Sequence, residues 1–347
     1  MEAPHRSRGA RALDVIDERL GLATLQYPVP EHANNLGWSL GGLTAAALLI
    51  LIGTGIFLTQ FYNPTPEAAN ASVRGIVNSV WAGQFVRGVH YWTAQAMYVL
   101  AALHLLRVFL TGSYKRPREA NWLIGVSMFA LVTGALFTGT VLKWDQEGFE
   151  ALGHNLELAR LLGGAGFWFS AKFSRAVPLL ERLYVAHVAI IPGLLIGLFA
   201  VHGALIKRHG ISPSPTVTGV GEAKEPFTHH LRRVGAFALV LLAFVGVLAV
   251  IRPPGVGATP VQGIEITKPL WMFWWLFTLE NKLGLKGILY GSGVLFALLF
   301  AVPFIDRNPQ RWWRKRPLAM TIGALVLVTL IVLTILEAVA TPVSHLG

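Results

Sequence analysis

Residues 87–108 open with Arg87-Gly88-Val89-His90-Tyr91-Trp92 and close with Leu103-His104-Leu105-Leu106-Arg107-Val108. Between Thr93 and Leu106 no Asp, Glu, Lys or Arg interrupts the run. An uncharged stretch of this kind reads as a helix crossing a hydrocarbon layer, which takes about 20 residues. Its peculiarity is a pair of histidines, His90 and His104, 14 residues apart. At about 100° per residue, 14 steps stop about 40° short of four full turns, so both lie on one helix face, about 21 Å apart along the axis.

A second run repeats the arrangement. His187 and His202 are 15 residues apart, which overshoots four turns by about 60° and again leaves both on one face. With these two runs, seven apolar stretches are long enough to span: 38–59 (A), 89–111 (B), 121–141 (C), 181–206 (D), 232–251 (E), 286–305 (F) and 318–338 (G). The composition agrees. Of 347 residues, 54% are apolar and 14% charged, where a soluble domain carries about a quarter charged residues. That argues against a soluble enzyme and against a disordered chain.

The expected fold class is therefore an all-α membrane protein with seven transmembrane helices. We divide it into an amphipathic N-terminal segment (1–37), a four-helix module (38–210), a linker (211–231) and a three-helix module (232–347). The first segment mixes Arg6, Arg8, Arg11 and Arg19 with Asp14, Asp17 and Glu18 and lacks an apolar core. It reads as a surface helix and not as a cleaved leader. The formal charge of +11 comes from basic residues scattered between spans, which suits a membrane protein better than a nucleic-acid binder. Lys and Arg number 18 on the face carrying the N-terminus and the B–C, D–E and F–G connections, against 11 on the other. The positive-inside rule places the N-terminus in the cytoplasm and the C-terminus outside, in a bacterial-type cytoplasmic membrane.

There are no cysteines, which excludes thiolate metal sites, cysteine-ligated iron–sulfur clusters and thioether-attached haem. Any redox metal must then hang on histidine, carboxylate or methionine. Helices B and D are separated by one span and run parallel. His90 therefore meets His187 near the outer face, and His104 meets His202 near the inner face. Two bis-histidine sites stacked across the bilayer suit two non-covalent b-type haems. A lone intramembrane histidine is more often a proton relay or a packing residue, but four in matched register favour the metal. His5, His32, His154, His209, His229, His230 and His345 fall in loops or tails and read as solvated.

Glycines supply a second register. Gly41 and Gly55 on A are 14 apart, as are Gly125 and Gly139 on C, and glycine permits the close approach that a flat macrocycle needs. Ordinary small-residue helix packing is the plainer alternative. Arg87, Arg107 and Arg118 stand near the histidine levels, suited to anionic propionates or to snorkelling at the membrane edge. Two long outer connections, C–D and E–F, are expected to carry function or partner contacts. The second holds Trp271-Met272-Phe273-Trp274-Trp275-Leu276-Phe277, which suits an interfacial helix.

With these residues in view, the chain resembles cytochrome b of the quinol-oxidising cytochrome bc complexes, and most of all cytochrome b6 fused to subunit IV. The resemblance covers about residues 30–345. It is carried by Leu40-Gly41-Gly42 through Thr54-Gly55, by the two histidine motifs of B, and by Lys115-Arg116-Pro117-Arg118-Glu119. Trp144-Asp145-Gln146 and Gly210-Ile211-Ser212 also match. It implies a quinol oxidoreductase subunit in which His90 and His187 ligate an outer haem, and His104 and His202 an inner one. Partners implied are a Rieske iron–sulfur protein, quinone, lipid and a second copy of the chain.

The departures are specific. Ser39 stands where the photosynthetic form anchors an extra haem through cysteine. Lys207 replaces the inner-site arginine, and Lys143 the proline before Trp144. Lys268-Pro269-Leu270-Trp271-Met272 replaces a Pro-Glu-Trp-Tyr motif, and Leu270 cannot accept a proton. Asp145, Glu265 and Glu280 are the candidate substitutes, and the sequence does not choose among them. The rival reading is a transmembrane electron conduit. It has a degenerate outer quinol site, another redox subunit (dehydrogenase, hydrogenase or multihaem cytochrome) outside, and quinone chemistry only at the inner haem.

Overall fold

The structure, a computed structural model, describes residues 15–19, 27–215 and 223–341. His5, His345 and most of the charged N-terminal residues lie outside them, so the expected surface helix is represented by a helical turn at 15–19. Among the described residues, seven helices are long and apolar enough to cross a membrane: α1 (Leu36–Thr59), α3 (Gly83–Leu110), α4 (Glu119–Leu142), α6 (Leu179–His209), α7 (Phe227–Ile251), α9 (Lys286–Ile305) and α10 (Pro317–Val339). They are spans A to G in order. Three shorter helices lie in the connections: α2 (Ala69–Asn78), α5 (Gln146–Leu161) and α8 (Trp274–Leu283).

The ends of these helices follow from local chemistry. The Asn35 side chain caps α1 by accepting from the Trp38 amide at 3.2 Å, and Asp145 caps α5 by accepting from the Gly148 amide at 3.1 Å. Both satisfy amides that a helix start leaves open. Between α2 and α3 the backbones nearly touch: a Cβ on Gly83 would stand 2.0 Å from the Ile76 carbonyl oxygen, so only glycine fits. In α6, residues Ala186–Ile190 form a π-helical turn around His187. Pro192 follows it and has no amide hydrogen to close the regular ladder at residue 188.

α1 packs along α3, α7 lies against both, α4 pairs with α6, and α8 is wedged against α9 and α10. The three-helix part is thus docked along the four-helix bundle. Two β-strands, β1 (Pro28–Pro30) and β2 (Lys224–Pro226), form an antiparallel ladder with Val29 opposite Glu225. This is an addition to the all-α expectation. It joins the N-terminal segment to the linker, and Tyr27 stacks on Phe227 beside it with ring centroids 4.7 Å apart.

The principal core is a layer of Ala47, Met97, Val132, Leu136, Leu195 and Met272, one contribution or more from each of α1, α3, α4 and α6 plus the E–F connection. Many outward apolar side chains, Leu49, Leu239 and Leu318 among them, stay about 70% exposed. In a helix apolar enough to span, that face belongs to lipid.

Candidate functional site

The four histidines occupy two levels. At the outer level the rings of His90 and His187 stand with centroids 6.3 Å apart. Two imidazoles sharing a metal at about 2 Å per nitrogen have centroids roughly 6 Å apart, so this pair has the separation a bis-histidine metal needs. Each ring is oriented by a threonine. The Thr54 hydroxyl donates to the Ile50 carbonyl at 2.7 Å and stands 2.9 Å from Nδ1 of His90. The Thr138 hydroxyl donates to the Gly134 carbonyl at 2.9 Å and stands 2.9 Å from Nδ1 of His187. With each hydroxyl hydrogen committed to the backbone, the threonine oxygen accepts from Nδ1–H. Nε2 is left with its lone pair free, the tautomer a metal requires. The sequence pattern does not by itself single out Thr54 and Thr138, although each directly precedes one of the register glycines.

At the inner level His104 and His202 line one cavity of about 700 Å³ together with Gly41, Gly125, Arg107 and Arg118. The cavity is lined mostly by apolar groups, yet Nε of Arg107, Nε of Arg118 and Oδ1 of Asn121 are buried on it without hydrogen-bond partners among the described residues. Buried polar atoms are rarely left so unless a ligand completes them. A flat apolar group with anionic substituents fits that wall, and a b-type haem is such a group.

Each glycine faces a different histidine. An added Cβ would stand 3.0 Å from Cε1 of His104 at Gly41, 3.5 Å from Cε1 of His90 at Gly55, 3.8 Å from Cε1 of His202 at Gly125 and 3.0 Å from Cε1 of His187 at Gly139. Between the levels lies the apolar core layer. Leu270 packs against that layer beside Met272, and Trp271 is held by its indole N–H donating to Gln95 at 2.9 Å.

The arginines divide. Arg87 gives its guanidinium to the carbonyls of Pro254 and Gly255 at 2.6 and 2.9 Å, tying α3 to the E–F connection. Arg107 lies over the Trp38 ring at 4.3 Å on the inner cavity wall. Arg118 reaches the His209 carbonyl at 2.8 Å on the same wall. Lys207 is exposed and outside that lining. Trp144 packs with Leu179, Leu180 and Leu183 under α5. The buried Ser39 hydroxyl donates to the Asn35 carbonyl at 2.9 Å.

On the outer face the candidate carboxylates separate by use. Asp145 is consumed: it accepts from the Gly148 and Gly257 amides at 3.1 and 2.9 Å and stands 3.3 Å from the Lys143 ammonium. Glu265 and Glu280 converge on His154, whose Nε2 lies 3.3 Å from Oε1 of Glu265 and 3.1 Å from Oε1 of Glu280. His154 is therefore not a solvated loop residue. It is 5% exposed, because the C–D connection folds into α5 and the E–F connection and α8 cover that helix. Burial alone would lower its pKa, but Glu265 and Glu280, with the Glu150 carbonyl on Nδ1, outweigh this and push it up to about 10. His32 and His230 are also half-buried and not solvated: His32 contacts the Ser212 carbonyl at 3.1 Å, and His230 lines the inner cavity.

Comparison with known proteins bears on this geometry. The profile described as "Cytochrome b(N-terminal)/b6/petB" matches residues 95–259. Cytochrome b6 of Heliobacterium mobile is 41% identical over 191 residues, 54% of this chain and 90% of that one. The menaquinol:cytochrome c reductase cytochrome b subunit of Geobacillus thermodenitrificans is 39% identical over 215 residues, 57% of this chain and 96% of that one. The cytochrome bc complex cytochrome b subunit of Chlorobaculum thiosulfatiphilum is 32% identical over 323 residues, 88% of this chain and 74% of that one. A solved chain of a hyperthermophilic respiratory Complex III shares the fold, with a TM-score of 0.80 at 21% identity, over 94% of this chain and 91% of that one. With seven membrane-crossing helices and relatives of this identity along most of their length, the chain belongs to the cytochrome b/b6 family, the integral-membrane electron-transfer subunits of cytochrome bc-type quinol oxidoreductase complexes.

Proposed function

We propose that the chain holds two non-covalent b-type haems, the outer by His90 and His187 and the inner by His104 and His202. It would carry electrons between them across the membrane and exchange them with quinone. The observation that carries this is the four-fold pairing of register glycines with histidines, two at each level. When bound, each haem iron supplies reversible one-electron transfer at a potential set by its ligands and surroundings. The chain's own residues do the rest. Thr54 and Thr138 hold the outer imidazoles in the ligating tautomer. Arg107 and Arg118 neutralise propionates at the inner level. The apolar layer around Met97 and Val132 keeps water from between the two levels.

Quinol oxidation on the outer side then sends one electron inward and one to a Rieske iron–sulfur partner, while quinone is reduced at the inner level. The N-terminus lies in the cytoplasm and the C-terminus outside, on the charge count of the connections. Ser39 offers no thioether anchor, so no covalent haem is part of this reading. The conduit reading, with a different redox subunit outside, keeps one observation in its favour: Leu270 is packed into apolar core and offers no carboxylate there.

The test is a reduced-minus-oxidised spectrum and potentiometric titration of the purified complex. Two b-type components are expected, with His202→Ala retaining only one. A single component in the parent, or two in the variant, would refute the pairing. Mass spectrometry of co-purifying subunits separates the two readings: a Rieske protein supports quinol oxidation outside, and another redox subunit supports the conduit.

A further inference from the structure

Glu280 is 1% exposed on α8, and neither of its carboxylate oxygens receives a hydrogen bond from the described residues. A buried, unpartnered carboxylate is costly and rarely kept without a use. Its nearest cation is His154, 3.1 Å away but not aligned to donate. The Glu265 carboxylate stands 3.3 Å from the same Nε2, while Nδ1 faces the Glu150 carbonyl at 2.9 Å. Phe277 covers the ring with centroids 5.2 Å apart. The remaining acids around the cluster are occupied. Glu150 accepts from the Ile266 and Thr267 amides, both at 3.0 Å, and Glu337 on α10 accepts from Asn281 at 2.9 Å. Lys268 donates to the Glu337 carbonyl at 2.6 Å. Two carboxylates and one imidazolium leave the cluster with a formal charge of −1, poised to take a proton.

Its place in the chain is equally telling. α5 follows the outer end of α4, seven residues on from Gly139, and α8 follows the turn bearing Leu270 and Trp271. Both segments lead directly away from the outer histidine level. Position 270 itself is apolar and packed into core, so proton acceptance there is impossible.

We infer that Glu280, positioned by His154 and Glu265, is the proton-accepting station of the outer face, in place of a carboxylate at position 270. This rests on the reading that quinol is oxidised on that face. In the step, both quinol O–H bonds break: one proton leaves with the electron taken by the iron–sulfur partner, and the other passes to a Glu280 carboxylate oxygen. Of the two electrons released, one goes to that partner and the other would go to the group that His90 and His187 would hold. The proton then leaves outward past His154 and Glu265. His154 is a positioning residue here: its Nε2 stands 3.1 Å from Oε1 of Glu280 and fixes where that carboxylate lies.

The experiment measures quinol-driven reduction of the b-type haems in the purified complex, from pH 5 to 9, for the parent and for Glu280→Gln, Glu280→Asp, His154→Gln and the control Glu157→Gln, a half-buried carboxylate on α5 paired with Arg160. The dithionite-reduced spectrum reports folding of each. The expected result is a loss of about 100-fold in Glu280→Gln, the usual scale for a missing general base, with substantial recovery in Glu280→Asp. In His154→Gln the carboxylate loses its neighbouring cation, and the rate profile is expected to move to higher pH. Glu157→Gln keeps the parent profile. Parent-like rates and profiles in Glu280→Gln and His154→Gln would overturn the assignment while leaving outer quinol oxidation standing. If Glu280→Gln loses its spectrum, an unshifted profile in His154→Gln overturns it instead. A parent complex whose haems are reduced by dithionite but never by quinol from the outer side would refute the outer-site reading itself, and this inference with it.

Discussion

Gly139 and His187 meet so closely that a methyl group on the glycine would stand 3.0 Å from Cε1 of the imidazole, with Gly41 and His104 in the same relation one level below. The looser partners, Gly55 with His90 at 3.5 Å and Gly125 with His202 at 3.8 Å, have room for a Cβ at ordinary contact distance. Alanine in a helix is about 1 kcal/mol more favourable than glycine, so backbone propensity does not penalise any of the four substitutions. Gly139→Ala and Gly41→Ala are expected to displace their histidines and lower haem content at the corresponding level. Gly55→Ala and Gly125→Ala are expected to leave the histidines in place. Haem-to-protein ratio by pyridine haemochrome, with a redox titration to tell the two levels apart, checks the contrast; equal losses in all four would contradict it.

The threonines make a separate prediction. Removing either hydroxyl leaves a buried Nδ1–H with no acceptor and a less electron-rich imidazole. Thr54→Val and Thr138→Val are expected to weaken metal retention at the outer level by about 10-fold or more, the usual scale for losing such a partner. They should also raise the midpoint of one of the two components, the same one in both variants. A titration in which the two variants move different components would contradict their sharing the outer level.

Asp306 is the hub of the inner connections. Its carboxylate pairs with Lys115 at 2.9 Å and with Arg316 at 2.8 Å, and accepts from the Tyr114 hydroxyl. Arg316 in turn donates to the carbonyls of Phe109 and Leu110 at 2.7 and 3.0 Å. Burial would raise the Asp306 pKa, but the hydrogen bonds from Tyr114, Lys115 and Arg316 outweigh it and hold it below the usual carboxylate value. A lowered pKa means the folded state gains from ionisation: the contribution is present above the ordinary aspartate pKa and lost as pH falls through the folded value. Asp306→Asn is expected to remove on the order of 3 kcal/mol, the scale of a broken buried pair, and to flatten the acid limb of the stability profile. Thermal unfolding in detergent between pH 3 and 7 measures both.

Much of this was legible because spans announce themselves. A run such as 87–108 has to be a helix in lipid, and once B and D run parallel, the meeting of His90 with His187 follows from counting. The 15-residue interval on α6 concealed something the sequence did not reveal. The π-helical turn at Ala186–Ile190 absorbs one residue, which brings the interval back into step with the 14 of α3. The burial of His154 is hidden from sequence reasoning for another reason. Its burial is created by α8 and the E–F connection, more than 100 residues later, and no local pattern on α5 reports that cover. The same holds for the ladder at Pro28–Pro30, whose partner strand lies almost 200 residues away.

That ladder bears on how the polypeptide is organised. β1 belongs to the segment before the first span and β2 to the segment just before α7. Backbone hydrogen bonds therefore staple the later three spans to the chain's beginning, and α7 lies along α1 and α3 besides. A break in the peptide within residues 216–222 would leave every one of these attachments intact. Two polypeptides cut there are expected to co-purify as one complex with an unchanged haem spectrum. Covalent continuity between the halves is then a matter of genetic convenience, which fusion or fission of reading frames can alter without the membrane assembly registering the change.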